Sequence, residues 1–113
     1  MTPASEETER GRSLSLDEFF DAMADRHRRY VLYALRDASD GVISFDDVAT
    51  FVLVHDPELT ERATVETILH HSVLPKLEAI GLIEHDSRSE TIRYRASHWF
   101  DDCVAHSAWI ERQ

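Results

Sequence analysis

Two groups of polar side chains in the second half of the chain have types and spacing suited to hydrogen bonding with phosphates and base edges. The first lies on a predicted helix, where Thr64, Thr67 and His71 fall opposite the apolar stripe and His70 lies at the edge of that side. The second is a short alternating strand at residues 91–95, which places two arginines on one face. Threonine, histidine and arginine are all common hydrogen-bonding partners of nucleic acids. These residues therefore indicate a binding surface.

The sequence offers no arrangement of residues that could catalyse a reaction. It has only three glycines, none of them in a phosphate-binding loop, and it has no nucleophile motif. Its acidic pairs Asp46-Asp47 and Asp101-Asp102 fall at predicted helix starts, where the helix dipole already favours carboxylates. We therefore predict a protein that is not an enzyme, uses no cofactor and has no small-molecule substrate.

The histidines and the cysteine do not combine into a metal site. Cys103 and His106 face the same way on a predicted helix, and both suit zinc. The adjacent His70 and His71 diverge by about 100° around a helix and cannot easily share one ion. Two ligands are too few, and a cysteine on an apolar stripe is more often a small core residue. We predict no metal.

A long helix followed directly by a hairpin positions the polar groups. The helix is predicted to begin after its N-cap Thr60 and to continue to Ile80, with Gly81 as its stop. Two strands follow at residues 82–85 and 91–95, joined by a short polar turn. This is the order of a recognition helix and a wing. The sequence therefore predicts a mainly α fold with a small β-hairpin, the winged helix-turn-helix, with a three-helix core, a two-stranded wing and an extra C-terminal helix.

The long helix has one predicted apolar face and one interruption. Leu74 and Glu78 fall on its polar side. Pro75 removes a main-chain donor, which predicts a kink near His71. The core-facing residues are Val65, Leu69, Val73, Leu77 and Ile80.

Two coincident signals predict the start of the first helix at Leu16. Ser15 and Glu18 form a capping box, in which each side chain bonds the main chain of the other residue. Leu14 and Phe19 occupy the two positions of a hydrophobic staple. The helical pattern continues well beyond this first turn.

Further N-caps divide the rest of the N-terminal half. Asp25 could cap a second helix, which would split the first helical stretch into residues 16–24 and 26–38. Ser44 caps a third helix that ends near His55, and a minimal apolar strand precedes it.

The C-terminal helix, starting at Ser97 or His98, has more apolar area than the edge of a small domain needs. We expect this helix and the first helix to form the interface of a homodimer, since apolar aromatic stripes usually mark an interface. The alternative is that the helix folds back on its own core. The residues assigned to the dimer contact are Trp99, Phe100, Cys103, Val104 and Ile110.

Two phrases carry a family resemblance, which covers roughly residues 14–95. The phrases are Ala-Asp-Arg-His-Arg-Arg-Tyr-Val-Leu at residues 24–32 and Leu-Pro-Lys-Leu-Glu-Ala-Ile-Gly-Leu-Ile-Glu at residues 74–84. They resemble an ArsR-like winged-helix family and, more closely, a haloarchaeal domain family of unknown function. The resemblance implies a DNA-binding transcriptional regulator with double-stranded DNA as its partner.

The resemblance also implies which residues contact DNA. Glu66 and Glu78 lie near the implied recognition positions, and no arginine, asparagine or glutamine there gives bidentate readout of a base. The wing arginines could hold phosphate or enter a minor groove, or they could pair with Glu84 and Glu90. The recognition positions are Arg62, Thr64, Thr67, His70 and His71, and the wing positions are Arg88, Arg93 and Arg95.

A further basic group lies where the first two helices meet. Arg26, Arg28 and Arg29 could pair with Asp21 and Asp25 in a solvated turn. Alternatively, they could contact phosphate from the helix beside the recognition element.

The charge balance weighs against DNA binding at ordinary salt. The chain has 22 acidic and 12 basic residues, a net charge of −10, and Lys76 is its only lysine. Such a surface resembles proteins of salt-loving archaea, although an acidic bacterial protein from an arginine-biased genome would look similar. Phosphate neutralisation dominates DNA affinity at low salt, but in molar salt the Debye length falls to about 3 Å, so net charge repels little.

Length and composition predict one domain in a reducing compartment. We divide the chain into a flexible tail at residues 1–13, a winged helix-turn-helix domain at 14–96 and a C-terminal helix at 97–113. The single Cys103 excludes an internal disulfide, and neither a secretion signal nor a membrane-spanning run is present, so we expect a cytoplasmic protein.

The sequence is compatible with two functions. The leading one is a DNA-binding transcriptional regulator. The alternative is a winged helix that serves protein–protein association alone. Convergence of the arginines on one face would favour DNA, whereas carboxylates interrupting them would favour the association module. Those arginines are Arg62, Arg88, Arg93 and Arg95.

Overall fold

The computed structural model describes residues 14–112, so the predicted tail at 1–13 lies outside the described residues. The described part is mainly helical with a small antiparallel sheet, compatible with a winged-helix arrangement, as predicted. The helices are α1 (Leu16–Met23), α2 (Arg26–Asp37), α3 (Phe45–His55), α4 (Arg62–Ile68), α5 (Leu74–Ala79) and α6 (His98–Glu111), and a π-helical turn (Leu69–Val73) joins α4 to α5. The strands are β1 (Val42–Ser44), β2 (Ile83–Asp86) and β3 (Thr91–Tyr94).

Local capping chemistry sets the first two helices, as the sequence predicts. The Glu18 N–H donates to Ser15 Oγ at 3.1 Å, and the Ser15 N–H donates to Glu18 Oε1 at 2.9 Å. The Arg28 N–H donates to the Asp25 carboxylate at 3.0 Å, which confirms Asp25 as the N-cap of α2. The helical stretch is therefore split where the second cap was predicted.

The sheet has one strand more than the predicted wing. The strand order is β1-β3-β2, and β3 pairs antiparallel with both neighbours. Ser44 ends β1 and also caps α3, because its Oγ accepts the Asp47 N–H at 3.0 Å. Gly41, at φ 74, lies just before β1, and its carbonyl accepts the Tyr94 N–H at 2.8 Å. The minimal strand predicted before α3 is therefore the third member of the sheet.

The recognition segment, defined here as residues 62–79, starts one residue later than predicted. Glu61 is the N-cap in place of Thr60, because the first helical hydrogen bond runs from the Val65 N–H to the Glu61 carbonyl. The segment ends at Ala79, and Gly81 follows at φ 83, a conformation that glycine adopts without strain. The predicted stop at Gly81 is confirmed.

A π-helical turn interrupts the recognition segment, centred on His71, where the sequence predicted the interruption. The Leu74 N–H donates to the Leu69 carbonyl, five residues back, and Pro75 has no N–H to restore the regular pattern. The extra residue rotates the following turn relative to a regular wheel. Leu74, predicted on the polar face, is consequently 1% exposed, so that prediction was wrong.

The hydrophobic core lies between the helices and one face of the sheet. Phe100 and Val104 of α6 are fully buried in it. At the opposite ends of α6, Tyr94 donates its hydroxyl to Asp101 and Tyr33 donates its hydroxyl to Glu111, each at 2.8 Å. The C-terminal helix therefore does fold against its own core, as the alternative reading expected. Across residues 14–112, no helix has both the length and the apolar character that crossing a membrane requires.

Candidate nucleic-acid interface

The outer face of the recognition segment carries uncharged polar side chains. Thr64, Thr67, His70 and His71 are all exposed, as the sequence predicts. The Thr67 hydroxyl donates to the Ala63 carbonyl of the same helix at 3.0 Å, so its hydrogen is used locally. This face could accept and donate hydrogen bonds, but it adds no positive charge.

Arg62 makes several contacts within its own fold. Its guanidinium bonds the Asp46 carboxylate at 2.7 Å and Glu66 at 3.1 Å. It also donates to Thr50 Oγ1 at 2.9 Å and to the Asp46 carbonyl at 2.8 Å. Arg62 therefore fixes the start of α4 against α3; its assignment as a DNA contact stays a prediction, and phosphate would have to compete with these four local groups.

The wing arginines divide into one paired and two unpaired. Arg95 lies 3.7 Å from Glu84, which confirms that predicted pair. Arg93 is exposed on the outer face, with Val42 opposite it on one neighbouring strand and Glu84 on the other. Within residues 14–112, the side chains of Arg88 and Arg93 make no hydrogen bond or ion pair.

The turn that carries Arg88 is closed by its main chain. The Arg88 N–H donates to Asp86 Oδ1 at 3.0 Å. This hydrogen bond, with others from Ser89, lowers the pKa of the Asp86 carboxyl below its ordinary value. Glu90, predicted to pair with a wing arginine, instead lies 3.7 Å from His85. The main chain therefore closes the turn, while the Arg88 guanidinium has no partner among residues 14–112.

The arginines between α1 and α2 make contacts within the fold, and within residues 14–112 their side chains do not pair with the carboxylates of Asp21 and Asp25 as predicted. Arg28 donates to the main-chain carbonyls of Asp21 and Ala22, at 2.8 and 3.1 Å. Arg29 donates to the Met23 carbonyl and forms a two-point contact with Glu111, at 2.9 and 3.0 Å. The sequence signal suggested nearby carboxylates, but the partners are helix-end carbonyls and a residue 82 positions away.

A buried carboxylate connects this junction to the turn before the recognition segment. Asp56 is 3% exposed, accepts a hydrogen bond from His27 Nε2 at 2.7 Å and lies 3.4 Å from Arg26. The Glu58 N–H also donates to it, at 2.9 Å. Burial would raise the pKa of Asp56, but the hydrogen bonds from Glu58 and His27 outweigh burial, and the pKa falls. Asp56 thereby anchors the turn to the start of α2.

The predicted dimer surface is only partly available. Phe100 and Val104 are 0% exposed in the core of their own chain, so they cannot contact a second copy, and their assignment is corrected. Trp99 and Cys103 are half-buried, and Ile110 is 56% exposed. Large apolar side chains that do face outward on α1 and α6 are Leu16, Phe20, Trp109 and Ile110.

The Phe19 ring joins the apolar residues of α1 and α6. Its centroid lies 5.5 Å from that of Phe20 and 6.1 Å from that of Trp99. The two helices therefore contribute to one apolar region. No group of three or more histidine, cysteine, aspartate or glutamate residues in the described part of the chain is placed to hold a metal ion.

The sequence analysis did not predict a cluster of three stacked rings. Phe45 of α3 stacks on His70 with centroids 4.1 Å apart and planes 3° from parallel. His85 of β2 lies 6.4 Å from Phe45 and 6.2 Å from His70, with planes within 23° of theirs. Alternation along β2 puts His85 on the same face as the buried Ile83. This alternation is the one sequence signal that could have predicted the place of His85 in the cluster.

The chain belongs to a family described as a domain of unknown function (DUF7344), whose profile matches residues 20–93. That match covers the helices from α2 to α5 and nearly all of the sheet. No curated protein and no solved structure matches the chain.

Proposed function

We propose that the protein binds double-stranded DNA as a winged-helix transcriptional regulator of ArsR-like type. One observation carries this proposal: the exposed, uncharged face of the recognition segment adjoins a wing whose Arg88 and Arg93 have no partner in the described part of the chain. In a chain of net charge −10, guanidinium groups without a partner are the most available phosphate ligands. The wing is therefore the principal DNA contact.

Such binding would read sequence weakly. Threonine and histidine side chains supply single hydrogen bonds, whereas strong discrimination between bases comes from bidentate pairs worth about 1–3 kcal/mol each. Phosphate contacts from Arg88 and Arg93 position the protein but carry no direct sequence information. The acidic surface fits a halophilic setting, because molar salt shortens the Debye length to about 3 Å and suppresses repulsion between protein and DNA.

We further propose that the protein acts as a homodimer through α1 and α6. Phe20 and Trp109 are 60% and 65% exposed, and a fully buried aromatic side chain covers about 150–250 Å². Their exposed parts therefore amount to roughly 200–300 Å², against about 800 Å² per partner in a standard interface. Each aromatic side chain could supply part of the apolar area of such an interface, and polar residues of the same helices could supply its rim.

The test is a DNA-binding titration over a series of potassium chloride concentrations up to molar, with wild type, Arg93→Ala and Arg112→Ala. Both variants change the net charge equally, but Arg112 is paired with Asp37 on α2. Arg93→Ala should weaken binding to all sequences alike and reduce the salt slope by about 1. Arg112→Ala should bind as wild type does. No binding of wild type at any salt, or equal weakening by both variants, would reject a specific wing contact.

A second candidate function, association with another protein without DNA binding, is favoured by a different observation. Carboxylates interrupt the expected basic face, because Arg62 pairs with Asp46 and Glu66, and Arg95 lies beside Glu84. A wild type that sediments as a dimer but never binds DNA would support this candidate. Ile110→Glu should then shift the chain to monomer, whereas Val54→Glu, also at an exposed apolar residue but on α3, should not.

A further inference from the structure

The Phe45–His70–His85 cluster occupies the junction of three elements that the proposed function requires. Phe45 is the first residue of α3, His70 lies in the π-helical turn, and His85 lies in β2 of the wing. All three ring planes are within 23° of parallel, and the tightest pair, Phe45 and His70, is 4.1 Å apart. Ring pairs at such separations add stability beyond the area that they bury.

Main-chain bonds close the same junction around the rings. The Phe45 N–H donates to the Glu90 carbonyl at 2.8 Å, which ties α3 to the end of the wing turn. The His85 N–H donates to Glu78 Oε2 at 3.2 Å, which ties β2 to α5. Glu90 itself has φ 55, a backbone conformation unusual for a residue with a side chain. The rings therefore fill the space between elements already joined at their edges.

Hydrogen bonding by the buried Nε2 of His85 does not account for the position of its ring in the cluster. His85 Nε2 is buried without a hydrogen bond among the described residues. Its nearest acid is Glu90 Oε1 at 3.7 Å, which is too long for a hydrogen bond. A buried polar atom without a partner lowers stability, so the shape of the His85 ring contributes to packing where its Nε2 does not.

We infer that His70 and His85 are positioning residues that hold the wing against the recognition segment by ring packing, and that His70 is not a reader of bases. This deepens the proposed function, on which its DNA-binding consequence rests; the structural consequence does not depend on DNA. The orientation of the wing arginines relative to residues 62–79 is set by this contact. His71, adjacent in sequence and also exposed, has no ring contact or hydrogen bond within residues 14–112 and is the natural control.

The first experiment measures hydrogen exchange of the hairpin amides, at residues 83–94, without DNA. His70→Ala should speed exchange there by about tenfold, His70→Phe should restore the wild-type rate, and His71→Ala should leave it unchanged. Equal rates in His70→Ala and His71→Ala would overturn the inference. So would faster exchange in His70→Phe, because the nitrogens and not the ring would then matter.

The second experiment separates shape from hydrogen bonding at His85. His85→Phe keeps a planar ring and removes the unsatisfied nitrogen, so the Tm should rise by about 4 °C. A fall in Tm would show that the imidazole makes a necessary polar contact and would contradict the ring-packing role.

The third experiment uses DNA at the salt concentration where wild type binds best. His70→Phe should bind with wild-type affinity, because it keeps the ring and loses only the hydrogen-bonding atoms. A tenfold loss with an intact, protected hairpin would identify His70 as a DNA contact and reject its positioning role. If wild type binds no DNA, the proposed function fails, while the exchange experiment still decides the role of the cluster.

Discussion

Replacing Glu111 by glutamine tests how α6 is held to the domain. The carboxylate accepts hydrogen bonds from Arg29 Nε, Arg29 Nη2 and the Tyr33 hydroxyl, at 2.9, 3.0 and 2.8 Å. Hydrogen bonds to a charged group contribute about 1.5–3 kcal/mol, and a glutamine amide can keep at most part of this set. We expect Glu111→Gln to lower the free energy of unfolding at pH 7 by about 2 kcal/mol. For a domain of this size, that corresponds to a fall in Tm of about 10 °C.

The pH dependence of this difference follows from the carboxyl group. Hydrogen bonding from Arg29 lowers the pKa of Glu111 below its ordinary value, although burial opposes the shift. A group with a depressed folded-state pKa stabilises the fold above its unfolded pKa, about 4.3, and loses that contribution as the pH falls through the lower folded value. The gap between wild type and Glu111→Gln should therefore be full at pH 7 and should shrink below about pH 4.

Urea denaturation followed by circular dichroism at a series of pH values measures the free energy of unfolding of each variant and its dependence on pH. Glu58→Gln is the matched control, because that exposed side chain makes no ion pair within residues 14–112. Equal free energies of unfolding for the two variants at pH 7 would refute the argument. A gap that persists unchanged at acid pH would refute the assignment of the stabilisation to the charged carboxylate.

Two further substitutions test other parts of the fold by the same denaturation assay. Asp56→Asn should lower the free energy of unfolding by about 3 kcal/mol at neutral pH, because it removes the charge from a buried group that bonds His27. The pKa of Asp56 is depressed in the fold, so this difference from wild type should disappear only as acid protonates wild-type Asp56. Leu74→Ala should lower the free energy of unfolding by about 3 kcal/mol and Leu16→Ala by well under about 1 kcal/mol, since these side chains are 1% and 58% exposed. Similar losses in the two variants would contradict the burial of Leu74.

The features that the sequence predicted correctly depend on contacts within a few residues. The capping box of Ser15 and Glu18, the caps at Asp25 and Ser44 and the stop at Gly81 each involve groups within one helical turn. Residue type alone determines which of these bonds can form, because a short polar side chain can reach only nearby main-chain groups. The order of elements, and with it the winged-helix architecture, follows from these boundaries.

The features that the sequence could not predict depend on partners far along the chain. Arg29 finds Glu111, which is 82 positions away, and Arg26 finds Asp56, which is 30 positions away. The pattern shows that an arginine is present but not which of many carboxylates lies within reach after folding. The error at Leu74 has a local cause, because Leu74 directly follows the π-helical turn and its N–H bonds the carbonyl five residues back; Leu77 and Glu78, further along, lie where the wheel predicted them.

The distribution of arginine partners bears on how this acidic protein could meet DNA. In residues 14–112, every arginine except Arg88 and Arg93 forms an ion pair with a carboxylate or donates a hydrogen bond to a carboxylate or a main-chain carbonyl of its own chain. Strand register explains why Arg93 is spared: its neighbour on β1 is the uncharged Val42, and its neighbour on β2, Glu84, lies within 3.7 Å of Arg95. Within residues 14–112, both arginines without a partner thus lie in the wing, so a duplex approaching this domain would find guanidinium ligands for its phosphates there, while the exposed Lys76 of α5 is the one cationic side chain without an ion pair in the recognition segment.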